Sequence, residues 1–261
     1  MAKDRKKVRA RGKDRSGFAR WLDKLDNWFH RGRVNFDSKP FEKSVFSQNG
    51  EDGILEAIFE IIGTTNRYFV EFGVEDGSEC NTRFLREEKG WTGLMMDGAD
   101  PPGEGVMREF ITAENITELF GKHGVPEEFD LLSIDIDSND YWVWKAIEGY
   151  SPRVVVMEYN SSIPASESKT VAYDPELTWD GTNYFGASLL ALTKLGSRKG
   201  FDLLCCDKVG VNAFFIRRDV FKKHFRKQSV DILWRPPRYG QKDAAGNHTG
   251  HPPGDREMVE V

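Results

Sequence analysis

The sequence has 261 residues, 39% of them hydrophobic, and a formal net charge of −5. That length and apolar content suit one α/β domain with appendages, large enough to bury a core. No apolar run is long enough for a transmembrane helix, and Cys80, Cys205 and Cys206 offer neither the even count of a disulfide framework nor a metal-ligand spacing. A reducing, cytoplasmic setting is expected.

The charge is uneven. Basic residues dominate positions 1–33, so the rest is more acidic than the total suggests. An acidic body speaks against nucleic acid, which needs a basic footprint. Residues 1–15 form a charge run, expected to be a disordered arm. They lack the apolar stretch of a secretory signal. Phe18, Trp21, Leu22, Leu25, Trp28 and Phe29 then fall at helical spacing, with Arg20, Lys24 and Arg31 off that face. The helix over 17–31 is expected to pack on the domain or a second subunit. Peripheral contact with an anionic membrane is the alternative. Residues 1–40 are thus a basic arm plus an amphipathic helix.

The body, residues 41–230, alternates strands and helices. Helices are predicted over 51–62, 77–89, 114–122, 141–147 and 187–195. Strands are predicted over 68–72, 92–96, 108–112, 131–136, 154–157, 201–206 and 213–216. Such alternation implies a doubly wound, mostly parallel sheet with right-handed crossovers. The closeness of the last two strands leaves room for an antiparallel strand at one edge. Residues 161–184 break the pattern as a polar loop with Tyr173, Trp179 and Tyr184, the kind of segment that becomes a lid. Residues 231–261 are rich in Pro, Gly and charge and read as a disordered tail.

The strongest local signal is Tyr68-Phe-Val-Glu71-Phe-Gly73-Val-Glu75-Asp-Gly77, a strand ending in an acid and a glycine-bearing turn. In open α/β sheets, ligands bind beyond the carboxyl ends of the strands. A dinucleotide site wants Gly-x-Gly-x-x-Gly, and two of those three glycines are absent here. A carboxylate facing the loop repels a pyrophosphate but suits a cation, so Glu71 and Asp76 fit the ammonium and sulfonium of S-adenosylmethionine. Asp97 ends the second strand about twenty residues later, the separation of an acid that reads ribose hydroxyls. Asp135 and Asp137 share a face if the fourth strand runs through them. Glu158 and Asn160 follow the fifth strand. Asp137, Glu158 and Asn160 could hold an ion of the magnesium type, act as a general base, or orient cofactor and acceptor. Glu114 or Asn115 could meet the adenine edge, or simply start a helix. One of Trp142 and Trp144 is expected in the core and the other near the pocket. None of the five histidines is singled out.

Ser47-Gln48-Asn-Gly-Glu51-Asp-Gly, Phe69-Val-Glu71-Phe-Gly73, Gly90-Trp-Thr-Gly, Ser133-Ile-Asp135-Ile-Asp137 and Val156-Met-Glu158-Tyr-Asn160 together resemble the FkbM-like methyltransferases, in order, over residues 47–216. The resemblance implies a class I methyltransferase fold with a seven-stranded sheet. It also implies S-adenosylmethionine held by Glu71, Gly73, Gly77, Asp97 and Asp135, with Gln48 and Glu51 closing the pocket. By analogy the reaction is O-methylation of a small hydroxyl acceptor, a sugar or secondary metabolite. The sequence departs from the family at Asp135-Ile-Asp137-Ser138, where FkbM-like proteins tend to have Asp-x-Glu-Gly. The Asp-x-Asp form is similar to metal-assisted O-methyltransferases. Asp137 or Glu158 is then the expected base or ion ligand. The contrasting expectation is a non-catalytic module of this fold that docks a membrane or partner.

Overall fold

The computed structural model describes residues 32–98 and 102–261, so the amphipathic helix expected over 17–31 lies outside the described residues. Seven strands make the central sheet: β1 (Tyr68–Phe72), β2 (Thr92–Asp97), β3 (Val106–Arg108), β4 (Glu128–Ile134), β5 (Ser151–Glu158), β7 (Phe201–Cys206) and β8 (Asn212–Arg217). Their order is β3-β2-β1-β4-β5-β8-β7. β8 is antiparallel to both β5 and β7. The antiparallel strand thus sits one place in from the edge rather than at it. The reversal of strand order between β1 and β4 is a topological switch point, where clefts open in such sheets.

Alternate residues of each strand feed opposite faces. Val70, Phe72, Leu132, Ile134, Val155 and Met157 join one core, which α3 (Ile116–Lys122), α4 (Asp140–Ala146) and α5 (Leu189–Lys199) cover. Phe69, Leu131, Val154 and Val156 join the other, covered by α1 (Glu51–Ile62), α2 (Arg83–Lys89) and α6 (Arg218–His224). This is the Rossmann-like, doubly wound, mostly parallel sheet that the sequence predicts. Trp144 is fully buried in the first core, whereas half-buried Trp142 donates from Nε1 to Val171 O (2.9 Å) under the loop that follows β5.

Helix α2 starts at Arg83, six residues later than the apolar spacing predicts. The Gly77 turn, with its positive φ of 77°, intervenes. The tail also differs from expectation. Residues 235–261 form a short hairpin of β9 (Gln241–Lys242) and β10 (His248–Gly250). They also supply β11 (Val259–Glu260), which pairs with β6 (Lys169–Thr170) of the long loop. Composition signals disorder because the segment has little apolar surface. Its order comes instead from backbone pairing with a distant loop: Asn183 N donates to Pro252 O (2.8 Å) and Val261 N to Ser168 O (3.0 Å). The expected division at residue 231 therefore does not separate an ordered from a disordered part.

At the amino-terminal end of β4, Asp130 is fully buried. Its carboxylate accepts from the amides of Thr65 (2.8 Å), Asn66 (3.1 Å) and Arg67 (2.8 Å) and from Arg153 Nη1 (2.8 Å). One acid thereby satisfies the turn entering β1 and neutralises a nearly buried guanidinium. Removing one partner of a buried pair strands the other's charge, at a cost of about 3–5 kcal/mol. Asp130→Ala is therefore expected to lower unfolding stability by about that amount, measured by urea denaturation.

Candidate functional site

The carboxyl ends of β1, β2, β4 and β5 open into a cleft of about 620 Å³. Small-molecule sites commonly span about 300–1,000 Å³. Each wall follows from local sequence.

Glu71, next to last in β1, is buried, with its carboxylate accepting from the amides of Asn81 (2.7 Å) and Thr82 (3.1 Å) and from the Thr82 hydroxyl. These donors belong to the loop and first turn leading into α2. Glu71 thus fastens the loop from below while lining the cleft. Burial raises its carboxyl, a shift that hydrogen bonds with Thr82, Asn81 and Ser133 only partly offset. Gly73 follows with φ 77°. An added Cβ would lie 1.3 Å from Asp135 O, so no side chain fits between the β1 and β4 loops. Gly77 closes a turn by donating to Val74 O (2.7 Å), again at positive φ. Glu75 is held in the left-handed region (φ 48°), where its amide donates to Asp97 Oδ2 (2.8 Å). Asp97 thereby ties the end of β2 to the glycine turn and still faces the cleft.

The Ser47–Gly53 motif closes one side. Asp52 Oδ2 accepts from the amides of Val45 (2.7 Å), Phe46 (2.7 Å) and Ser47 (3.0 Å), which shapes the turn before α1. Glu51 is buried between Asn49 N (2.8 Å) and Asn212 Nδ2 (2.8 Å). Gln48 Nε2 donates to Glu79 Oε2 (2.6 Å), and both side chains line the cleft.

Asp135, Asp137 and Glu158 meet in the cleft, with one carboxylate oxygen of each within 4.8 Å of the others. The reason differs from the one the sequence suggests. β4 stops at Ile134, so strand alternation does not put Asp135 and Asp137 on one face. Asp137 instead takes a left-handed conformation (φ 58°). Buried Asp140 holds that loop by accepting from Ile136 N (2.9 Å) and Ser138 N (3.1 Å). Desolvation, then the neighbouring acids, push Asp135 and Glu158 well above the usual carboxylate range. Asp137 is raised by burial and by Asp97, and His251 opposes the shift. Burial raises Asp140 to about 6. Two full charges 4.8 Å apart repel by ~3 kcal/mol at an effective dielectric constant of about 20. Such crowding favours protonation or a neighbouring positive charge.

Among the described residues, ten carboxylates line the cleft: Glu51, Glu71, Glu75, Asp76, Glu79, Asp97, Glu109, Asp135, Asp137 and Glu158. No lysine or arginine is among the lining residues, although Glu109 pairs with Lys122 and His123 (2.6 Å each). The one basic ring in the lining is His251, which the sequence places in an appendage. The tail brings it against Trp179 (ring centroids 4.6 Å), Tyr239 (5.2 Å) and Phe185 (5.6 Å). Composition carries no signal for that long-range delivery. Nor did it single out Asn212, which enters from β8.

Several expectations do not meet in the cleft. Asn160 is fully buried away from it: Nδ2 donates to Asn183 O (2.8 Å) and Phe185 O (3.1 Å), and Oδ1 accepts from Ser162 N (3.1 Å). Its amide anchors the long loop, and the expected ion-ligand role is corrected accordingly. Asn115 is spent on Thr112 N (2.8 Å) and Phe110 O (2.7 Å) at the start of α3. Glu114 receives the Tyr173 hydroxyl. Neither lines the cleft, whereas exposed Phe110 does. Of the three loop aromatics, only Trp179 faces the cleft.

No family model matches the sequence, and no curated protein matches it either. Solved structures resemble it at low identity. The N-terminal domain of EvdMO1, crystallised in the presence of SAH and D-fucose, is 16% identical with a TM-score of 0.38, covering 80% of this chain and 99% of that one. TnmH is 13% identical with a TM-score of 0.37, over 78% of this chain and 69% of its own. An S-adenosylmethionine-dependent methyltransferase from Clostridium acetobutylicum is 12% identical with a TM-score of 0.33, over 76% and 98%. At such scores the ligand and the reaction have to be read from the site itself.

Acids with raised folded values hold protons that the unfolded chain has released, so their contribution to stability falls as pH rises from the ordinary carboxylate range through the raised one. Glu158→Gln removes one such group. With divalent ions chelated, the variant is expected to melt a few degrees above the wild type at pH 8. The gap should shrink toward pH 5, as read by calorimetry. A gap that does not change with pH would contradict the crowding.

Proposed function

We propose that the protein is a class I, S-adenosylmethionine-dependent methyltransferase of FkbM-like type that methylates a hydroxyl oxygen on a small molecule, a sugar or secondary metabolite. The observation that carries this reading is the cleft's charge: ten carboxylates and no lysine or arginine among the described lining residues. A phosphate-bearing dinucleotide meets repulsion there. S-adenosylmethionine has no phosphate and is a net cation, so the same field attracts it.

The residues suit each part of that molecule. The Gly73–Gly77 turn lets backbone approach closely, because Gly73 has no Cβ and lies on the Asp135 carbonyl. Asp97 sits at the end of β2, where its carboxylate can accept from ribose hydroxyls. Phe110, more than half exposed at the rim, offers a flat apolar face to adenine. Glu71 supplies negative charge under the loop rather than a free hydrogen-bonding carboxylate, since its oxygens are taken by Asn81 and Thr82. Bound there, the cofactor supplies an electrophilic methyl group. The protein's work is then alignment of an acceptor hydroxyl with that methyl, the largest contribution such an enzyme can make. Asp137 and Glu158 handle the hydroxyl proton, as a base or through an ion they hold. Trp179, on the loop after β5, and His251, on the tail, wall the acceptor end.

Calorimetric titration with S-adenosylmethionine and its demethylated product tests the reading. Micromolar binding is expected. Asp97→Ala should weaken it at least about tenfold, since a hydrogen bond to a charged group contributes about 1.5–3 kcal/mol. Asp137→Ala should leave cofactor binding intact while abolishing methyl transfer. A folded protein that binds neither compound would contradict the proposal.

A further inference from the structure

At the β5–β8 end of the cleft, two acceptors lack a donor. Glu158 Oε2 is buried and receives no hydrogen bond among the described residues, and Asn212 Oδ1 is in the same state. The two residues are direct cross-strand partners, and both line the cleft. Asn212 is 4% exposed. Its amide is not free to turn, because Nδ2 donates to Glu51 Oε1 (2.8 Å) and a carboxylate accepts only from the nitrogen. A buried acceptor without a donor is costly and calls for an explanation at its own site.

This end lies past the cofactor. Asp97, placed at the ribose, ends β2, and the sheet continues β1-β4-β5-β8. With neighbouring strands about 4.8 Å apart, β5 and β8 stand about 14 and 19 Å across the sheet from β2. S-adenosylmethionine brings one net positive charge, whereas Asp135, Asp137 and Glu158 alone offer three carboxylates. The wall here is Trp179, 40% exposed. Its Nε1 already donates to Thr182 O (2.8 Å), so what the indole offers a ligand is its ring. An indole face is the best aromatic partner for a cation.

We propose that the methyl acceptor carries a protonated amine, as an amino sugar or other amino alcohol does, and that its ammonium sits among Glu158, Asn212 and Asp135 while its hydroxyl faces the donor methyl. This rests on the cleft binding S-adenosylmethionine as argued above, and it makes the acceptor cationic rather than neutral. An ammonium has three N–H donors, enough for Glu158 Oε2, Asn212 Oδ1 and the Asp135 carboxylate. A neutral hydroxyl could fill one orphan but would leave the crowded charge in place. An ammonium also has no lone pair, so it cannot take the methyl group, and transfer goes to oxygen. The sulfonium C–S bond breaks as the O–C bond forms. The hydroxyl proton passes to Asp137, the exposed acid of the three, and S-adenosylhomocysteine remains.

The test uses the full chain, treated with chelator and saturated with S-adenosylhomocysteine. Matched probes are titrated by calorimetry near neutral pH: D-glucosamine against D-glucose, and ethanolamine against ethylene glycol. Each amine should bind at least about tenfold more tightly than its neutral partner, the effect of one hydrogen bond to a charged group. N-acetylglucosamine, which keeps the nitrogen and loses the charge, should bind no better than glucose. Glu158→Gln and Asn212→Ala should each cut the amine preference several-fold. Both variants should still bind S-adenosylhomocysteine, which shows that they are folded. In a wild type that binds S-adenosylhomocysteine, equal affinities within both pairs, or no saturable binding of either amine, overturn the proposal. So does an amine preference that survives both substitutions. An amine that displaces S-adenosylhomocysteine also overturns it, because the acids then hold the cofactor's own amino group. Failure of S-adenosylhomocysteine to bind wild type sinks the underlying functional reading instead, whatever the amines do.

Discussion

Like charge crowded against one edge of the sheet is the constraint on which this structure turns. Ten carboxylates share a cleft with a single imidazole among its described lining residues. Crowding of this kind is relieved by protonation of the acids or by a positively charged ligand. The second route separates a sulfonium cofactor from the phosphorylated nucleotides that the same layout binds elsewhere.

The acids can be held together because other groups are committed to holding the loops. Asp52 gathers three amides before α1, Glu71 takes two amides before α2, and Asp140 takes two at the start of α4. Each is a carboxylate that accepts from two or more backbone N–H groups, Asp52 through Oδ2 alone. These tethers leave Asp97, Asp135, Asp137 and Glu158 to face the cleft. Around the cleft, Asp52, Glu71 and Asp140 thus shape the loops through backbone amides, while Asp97 both holds the glycine turn and faces the opening with Asp135, Asp137 and Glu158. The tail and the loop after β5 complete the enclosure. Ser138 Oγ donates to Leu177 O (3.1 Å) and Asn139 Nδ2 to Asp174 O (2.7 Å), which ties the loop to the segment that follows β4.

Much of this was legible in the sequence, and the failures have physical causes. Apolar runs ending in acids located β1, β2, β4 and β5 and their cleft, because strand ends and glycine turns are local signals. The pairing of Asp135 with Asp137 was anticipated on the wrong geometry: the strand stops short of both, and a left-handed residue brings them together. Asn160 looked like a ligand because it stands two residues beyond Glu158, but spacing cannot tell whether an amide is already spent on a neighbouring loop. His251 and Asn212 were invisible for the opposite reason. They reach the cleft through tail–loop pairing and the β5–β8 register, contacts of long sequence separation that leave no mark in composition or period.

The most direct test of the account is discrimination by charge: calorimetric affinities of S-adenosylmethionine, NAD and ATP for the same chelator-treated protein. The cleft should bind S-adenosylmethionine in the micromolar range and give no saturable binding of either phosphorylated nucleotide. Tight binding of NAD or ATP, with S-adenosylmethionine bound weakly or not at all, would contradict the claim that the crowded carboxylates select a cation.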